Sequence, residues 1–181
     1  MSTLFVNNLN TASGTNIAIP TGKTLTAADA NAIRAPGMVI QTVFDAHDTQ
    51  TSSSSSTFAD TGLTATITPT SASSKILCHV HVNGVYKDGS NQAGVAIKFL
   101  KTISGTTTEV ARLANRAAGD NGTGTAAIQS IGTVSGSILD APNTTSAVTY
   151  KCQFNASSNT GTAYVQVYTV ESTLILQEIL Q

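Results

Sequence analysis

The 181-residue sequence has little charge and few aromatic side chains. Asp, Glu, Lys and Arg account for 10% of the residues, against about a quarter in ordinary soluble domains. Aromatic residues account for 5%, and tryptophan is absent. Nine basic and ten acidic residues give a net charge of -1. Because binding to nucleic acid needs a dense basic surface, this composition argues against a nucleic-acid partner.

The sequence also lacks segments typical of membrane insertion or secretion. It has no run of about 18 apolar residues, so no membrane partner and no spanning helix are expected. The first residues have neither the basic region nor the long apolar segment of a signal peptide, which predicts synthesis in a cytoplasm. The only cysteines, Cys78 and Cys152, lie in strand-like segments, and in a reducing compartment we expect buried free thiols.

Threonine, serine and β-branched residues are abundant, and they favour strands over helices. From residue 38 onward, short alternating segments separated by turn residues predict about nine strands, in a sandwich or a barrel. Residues 49–57 are predicted to form a Ser/Thr loop, and residues 163–181 a single closing strand. Residues 97–101 and 111–115 could also form helical turns, although strands are the prediction adopted for both.

The predicted strand at residues 148–154 and the last predicted strand differ in the polarity of their two faces. One face of residues 148–154 consists of Val148, Tyr150, Cys152 and Phe154, and the other is polar, which is typical of a half-buried strand.

The last strand is apolar on both faces: Leu174, Leu176 and Leu180 share one face, and Ile175 and Ile179 share the other. The outer face of a sandwich strand normally meets water, so we predict that these five residues contribute to a subunit interface. Cover by the N-terminal segment is the alternative explanation.

Residues 1–36 are predicted to form an arm, and residues 37–181 a head that folds by itself. A capping-box-like sequence at residues 26–29 predicts a short helix that ends before Pro36. The arm has few large apolar side chains, at roughly 1.5–3 kcal/mol each when buried, and they cannot offset the ordering of its backbone. We therefore expect the arm to attach the protein to a larger assembly through Leu4, Phe5, Val6, Ile17 and Ile19.

No group of residues predicts catalysis. His79 and His81 share one strand face and could chelate a metal, but a site needs further ligands, and His47 is the only other histidine. Asp45 and Asp48 could be read as paired carboxylates, yet aromatic platforms for a sugar substrate are scarce. We predict no catalytic residue, no metal site and no cofactor.

Segments along nearly the whole chain resemble the virion structural proteins of tailed, marine-type bacteriophages, both tail-fibre-like and capsid-decorating. The similar segments are residues 5–8, 19–23, 35–41, 67–77, 139–150 and 172–179. This resemblance implies a jelly-roll-type head, usually trimeric, on the surface of a virus particle, with no catalytic residues to carry over.

The expected function is therefore that of a non-enzymatic virion protein: a compact trimeric knob that decorates or cements the capsid and attaches through its arm. A short tail-fibre component whose head binds a host receptor or a glycan is the alternative. The expected partners are further copies of the chain and another virion protein, such as the major capsid protein or a tail protein.

Overall fold

A computed structural model describes residues 21–24, 26, 33–88, 94–118, 131–157 and 161–181. Ten strands and one short 3-10 turn, Val167–Thr169, are present in this part of the chain. The strands are β1 (Val39–His47), β2 (Thr51–Ser53), β3 (Ala59–Ile67), β4 (Lys75–Asp88), β5 (Val95–Ile103), β6 (Thr106–Ala117), β7 (Gly132–Asp140), β8 (Val148–Ala156), β9 (Thr162–Val165) and β10 (Ser172–Ile179).

The eight long strands pair antiparallel in a nested order. β1 pairs with β10, β3 with β8, β4 with β7 and β5 with β6. The result is two facing sheets, with strand orders β1-β10-β4-β7 and β3-β8-β5-β6, and β9 and β2 extend the first sheet beside the second half of β4. Nested pairing of this kind is a long hairpin rolled into two layers, which is the jelly roll. The predicted all-β jelly-roll sandwich is confirmed.

The core lies between the two sheets and follows the period of two expected for strands with one wet face. In β3, for example, Leu63, Ala65 and Ile67 are buried and the residues between them are exposed. The predicted inner face of β8 is also confirmed, because Val148, Tyr150, Cys152 and Phe154 are fully buried.

The observed strands agree with some of the segments predicted from the sequence and differ from others. Residues 97–101 and 111–115 lie in β5 and β6, which confirms strands over helical turns. Within the predicted Ser/Thr loop, Thr51–Ser53 forms β2. Residues 163–181 were predicted as one strand, which is wrong, because the 3-10 turn separates β9 from β10. Backbone φ angles of 55°, 60° and 58° at Gln166, Tyr168 and Thr169 are incompatible with an extended strand.

The chain divides into two units, Met1–Ile33 and Arg34–Gln181. The predicted attachment residues Leu4, Phe5, Val6, Ile17 and Ile19 lie outside the described residues, as do residues 27–32 of the predicted short helix and residues 126–130 of a predicted strand. Attachment through the arm and independent folding of the head therefore remain predictions.

Candidate interaction surfaces

The outward side of the β1-β10-β4-β7 sheet carries large apolar residues in two neighbouring rows, each of which also contains polar residues such as Gln177. In one row Phe44 of β1 lies beside Ile175 of β10, and Ile175 lies beside His79 of β4. In a second row Leu77 of β4 lies beside Leu139 of β7. At one end of β10, Val39 lies opposite Ile179. We call these six apolar residues, Val39, Phe44, Leu77, Leu139, Ile175 and Ile179, the outer apolar face.

Several side chains of the outer apolar face are more exposed than is usual for residues of their size. Phe44 is 59% exposed, Leu139 is 53% exposed and Val39 is 47% exposed. Lys75 and Asp88, at the two ends of β4, are the only permanently charged residues among the outward positions of the four strands, all of which lie in the described part of the chain. The surface therefore combines exposed aliphatic and aromatic groups with very little charge.

The five residues predicted from the last strand divide between the two sides of the sheet. Leu174 and Leu176 are fully buried in the core, so they stabilise the fold of the chain and are not available to a partner. Ile175 and Ile179 lie on the outer apolar face, and Leu180, just beyond the strand, is half-buried. The predicted interface, which stays a prediction, depends on these three residues.

A polar cross-link joins the two sheets at one end of the core. The Lys101 ammonium on β5 lies 2.8 and 2.9 Å from the two carboxylate oxygens of Asp140 on β7. The Tyr150 hydroxyl on β8 donates to Asp140 Oδ2 at 2.7 Å. Burial, followed by the hydrogen bond to Asp140, raises the pKa of Tyr150 well above its ordinary value. These contacts link the two sheets and pair each charge of the cross-link with a partner.

A second buried carboxylate, Glu178, closes the sandwich near the end of β10. Its oxygens accept hydrogen bonds from the Gln41 amide and from both the backbone N–H and the hydroxyl of Thr70. Burial opposes ionisation of Glu178, but these hydrogen bonds outweigh it and hold the pKa of the carboxyl below its ordinary value. The ionised form therefore stabilises the folded state.

We expect Glu178→Gln to lower the free energy of unfolding at pH 7 by about 1–3 kcal/mol, because an amide NH₂ would face groups that are themselves donors. Because the folded-state pKa is depressed, the stability due to Glu178 is present above its unfolded pKa of about 4.3 and is lost as the pH falls through the folded value. The difference between parent and variant should therefore shrink between pH 7 and pH 3 in urea unfolding.

Glu109→Gln is the matched control for this experiment, because Glu109 bonds only Arg112 in an exposed pair. This control should change the unfolding free energy by less than about 1 kcal/mol at either pH. A pH-independent loss in Glu178→Gln would contradict a role for the ionised carboxylate.

The three histidines do not converge on one site. His79 and His81 lie on the outward face of β4, as predicted, and His79 Nδ1 is 3.0 Å from the Ser137 hydroxyl. His47 lies on the inward side of β1, where its ring covers Gly62 of the opposite sheet so closely that a Cβ at that position would collide with it. No group of three or more His, Cys, Asp or Glu side chains with metal-binding geometry occurs among the residues that the structure describes.

Both cysteines are free and buried in the core. Burial raises the pKa of the Cys152 thiol to about 12 and the pKa of Cys78 even further above its ordinary value. Because the thiolate is the reactive form, both should resist alkylation in the folded protein. After denaturation without reductant, intact-mass measurement should show two added labels. A chain that takes no label until it is reduced would instead contain a disulfide.

The outward side of the β3-β8-β5-β6 sheet is polar. A shallow cleft of about 350 Å³ is lined there by Asp60, Thr64, Thr102, Thr149 and Lys151, among others. Lys151 lies 2.9 Å from Asp60, and the Gln153 amide donates to the same carboxylate at 2.7 Å. These charges neutralise one another, so the cleft offers hydroxyl groups and no unpaired nucleophile or acid–base pair.

No protein-family model and no curated protein matches this chain. Several solved structures of infectious bursal disease virus are similar to part of it. The VP2 subviral particle is 14% identical with a TM-score of 0.38, over 87% of this chain and 42% of the matched chain. The Gx strain is 13% identical with a TM-score of 0.35, over 87% and 36% of the two chains. The Gt strain is 11% identical with a TM-score of 0.33, over 86% and 40%.

This chain spans less than half the length of each of those proteins. Within the described residues, no helix has the length and hydropathy needed to cross a membrane.

Proposed function

We propose that this chain is a non-enzymatic structural protein of a virus particle, whose jelly-roll head assembles with further copies through the outer apolar face. The observation that carries this proposal is the exposure of large apolar groups on a nearly uncharged sheet face. Single exposed apolar residues are ordinary, but contiguous groups of them mark interaction sites. Cores of protein interfaces are depleted in charge, as this face is, and its one aromatic residue, Phe44, is 59% exposed.

The jelly roll itself is compatible with the proposal but does not decide it. The architecture occurs in viral capsid proteins, in lectins and in cupins, and fold alone does not determine function. The interior is filled with apolar side chains such as Leu63, Phe99 and Phe154, which supports a structural role over one that uses an internal ligand cavity. The buried Asp140 and Glu178 carboxylates are occupied by hydrogen bonds that hold the fold together.

Assembly as a trimer and decoration of a capsid are the finer parts of the proposal. Both rest on the resemblance to bacteriophage virion proteins, with the arm as the attachment device. A short tail-fibre component with a receptor-binding or glycan-binding head remains the second candidate, which the exposed Tyr168 at one end of the head favours.

Attachment is tested by adding purified protein to particles that lack it. Full-length protein should bind at a fixed number of copies per particle, and protein without residues 2–36 should fail to bind. The truncated chain retains the backbone bonds from Gly37 N to Leu180 O and from Leu180 N to Met38 O, which begin the β1–β10 pair. Its far-ultraviolet circular dichroism spectrum should therefore show that the β-sheet structure of the head is retained.

Two outcomes would contradict the proposal in different ways. Full-length protein that does not bind the particles would argue against a virion role. Truncated protein that binds at the parental number of copies would show that the head, and not the arm, makes the attachment.

A further inference from the structure

Three of the four tyrosines lie together at one end of the sandwich. Tyr86 on β4 and Tyr164 on β9 are direct cross-strand neighbours on the outward side of the sheet, with ring centroids 5.4 Å apart and planes tilted by 44°. Tyr168 follows β9 in the 3-10 turn and is 77% exposed. The turn that carries Tyr168 packs over Gly84, two residues before Tyr86 on β4. Burial, then Asp88, Tyr164 and Tyr168, raises the pKa of Tyr86 above its ordinary value. The fourth, Tyr150, is buried in the core.

The backbone that presents Tyr168 is strained. Gln166, Tyr168 and Thr169 all have the left-handed conformation, which residues other than glycine rarely adopt. The turn is held in place by Gln166, which bonds Asn83 O through its backbone N–H and Ser172 Oγ through its side-chain amide. It also needs Gly84 beneath it, since a Cβ there would lie 2.5 Å from Val167 N. Strain of this kind is concentrated at ligand-binding sites, because the rest of the fold must stabilise it.

From these features we propose that Tyr86, Tyr164 and Tyr168 form a binding platform for a neutral carbohydrate. Tyrosine combines a rigid apolar ring with a hydroxyl, which matches the apolar face and polar rim of a pyranose ring. The platform is flanked by hydroxyl groups, because Ser52 lies beside Tyr164 and Thr162 lies opposite Asp88. The exposed Asp88 carboxylate, two residues after Tyr86, can accept hydrogen bonds from sugar hydroxyls and would repel an anionic sugar.

A quaternary ammonium ligand is less consistent with this arrangement. A cage for a cation needs its rings spread around the charge, within about 6 Å of each ring centroid. The Tyr86 and Tyr164 rings are in contact at 5.4 Å, so no cation fits between them. Because their planes are tilted by 44°, each ring offers its own face for the apolar side of a pyranose.

The platform and the outer apolar face can be occupied at the same time. The row of Phe44 and Ile175 is the part of the outer apolar face nearest the platform, and it is in register with His79. His79 and Tyr86 are seven residues apart on β4, which corresponds to at most roughly 23 Å along a strand at about 3.3 Å per residue. Assembly through the outer apolar face would leave the tyrosines accessible. This inference rests on the second candidate function, for which it locates the glycan site. It is compatible with assembly of the head through the outer apolar face.

Binding of the full-length protein to immobilised neutral oligosaccharides of glucose, galactose and N-acetylglucosamine tests the inference. We expect the parent to bind at least one of these probes, and Tyr86→Ala and Tyr168→Gly each to weaken that binding at least tenfold. Tyr168→Gly should also raise the thermal midpoint by about 2–4 °C, because glycine relieves the left-handed strain. A gain in stability with a loss of binding is a result that a purely structural tyrosine would not give.

Ser104→Gly is the matched control, since Ser104 is an exposed residue with a φ of 48° in the turn between β5 and β6. It should raise the thermal midpoint similarly and leave saccharide binding unchanged. A parent that binds none of the probes, or tyrosine variants that bind as the parent does, would overturn the inference. So would binding to a host surface protein that persists after enzymatic removal of its glycans. A protein that attaches to particles but binds no saccharide would overturn this inference alone.

Discussion

Asp140→Ala is expected to lower the free energy of unfolding by about 3–5 kcal/mol, which is a large part of the roughly 5–15 kcal/mol that stabilises a typical domain. The substitution would leave the Lys101 ammonium without its carboxylate in a site where both side chains are largely buried. It would also remove the acceptor of the fully buried Tyr150 hydroxyl. Urea unfolding followed by far-ultraviolet circular dichroism gives the difference directly.

Asp60→Ala is the matched control, because Asp60 forms an ion pair of similar length with Lys151 on the exposed side of the opposite sheet. Exposed pairs contribute up to about 1 kcal/mol, so the control should lose no more than that. Equal losses in the two variants would contradict the importance of burial.

The cost of leaving a buried charge unpaired can be measured separately from the stability that the ion pair itself contributes. Replacing Lys101 with Met, Asp140 with Leu and Tyr150 with Phe removes every member of the polar cross-link and keeps similar volumes. Because the large cost arises from leaving a buried charge unpaired, this triple variant should recover most of the stability lost in Asp140→Ala. A triple variant as unstable as the single one would show that the network is itself strongly stabilising.

The second large effect is expected at the outer apolar face. Ile175→Asp, Ile179→Asp and Phe44→Asp should each weaken self-association by several kcal/mol, because each places a charge on a surface that the proposed assembly removes from water. At about 1.4 kcal/mol for each factor of ten in the dissociation constant, this is enough to convert an oligomer to monomers at micromolar concentration. Light scattering of parent and variants measures the change.

Thr66→Asp introduces the same charge on the outward side of the opposite sheet, where Thr66 bonds Thr149 through their hydroxyls. This control should remain oligomeric. The parent must itself be an oligomer, and we expect a trimer. A parent that stays monomeric at tens of micromolar would remove the basis for the proposed interface.

The architecture could be predicted from the sequence because the β-strand pattern is local. The alternation of Val148, Tyr150, Cys152 and Phe154 with polar residues is enough to identify the inner face of β8, and the structure buries all four. The same reasoning applies to His79 and His81, which point outward as expected. Period-two patterns report which way a side chain points relative to its own strand.

The composition of the surfaces could not be predicted, because it depends on which strands lie side by side. Ile175 was identified from its own strand, but its neighbour Phe44 is more than a hundred residues away and became part of the same surface only through the β1–β10 register. The proposed tyrosine platform likewise depends on the pairing of β4 with β9. It also depends on the positive φ angles of the 3-10 turn, which no sequence motif predicts. The last strand, which is apolar on both faces, was the sequence signal that predicted a contact surface.

Leu174 and Leu176 illustrate a limit of reasoning from a single strand. An apolar residue on a strand that is apolar on both sides can face either the core or a partner, and alternation alone does not decide between them. The nested pairing puts β10 in the centre of its sheet and turns these two leucines toward the opposite layer, where they are fully buried. Only the odd-numbered residues of the strand remain for contacts outside the chain.

The central proposal, that this chain is a structural component of a virus particle, is tested most directly by imaging intact, purified particles with a gold-labelled antibody against it. We expect label on the particle surface at regularly repeated positions, with a copy number that is constant from particle to particle. Label confined to the tail would favour the tail-fibre alternative over capsid decoration. Particles without label, from infected cells in which the same antibody detects abundant soluble protein, would contradict the proposal.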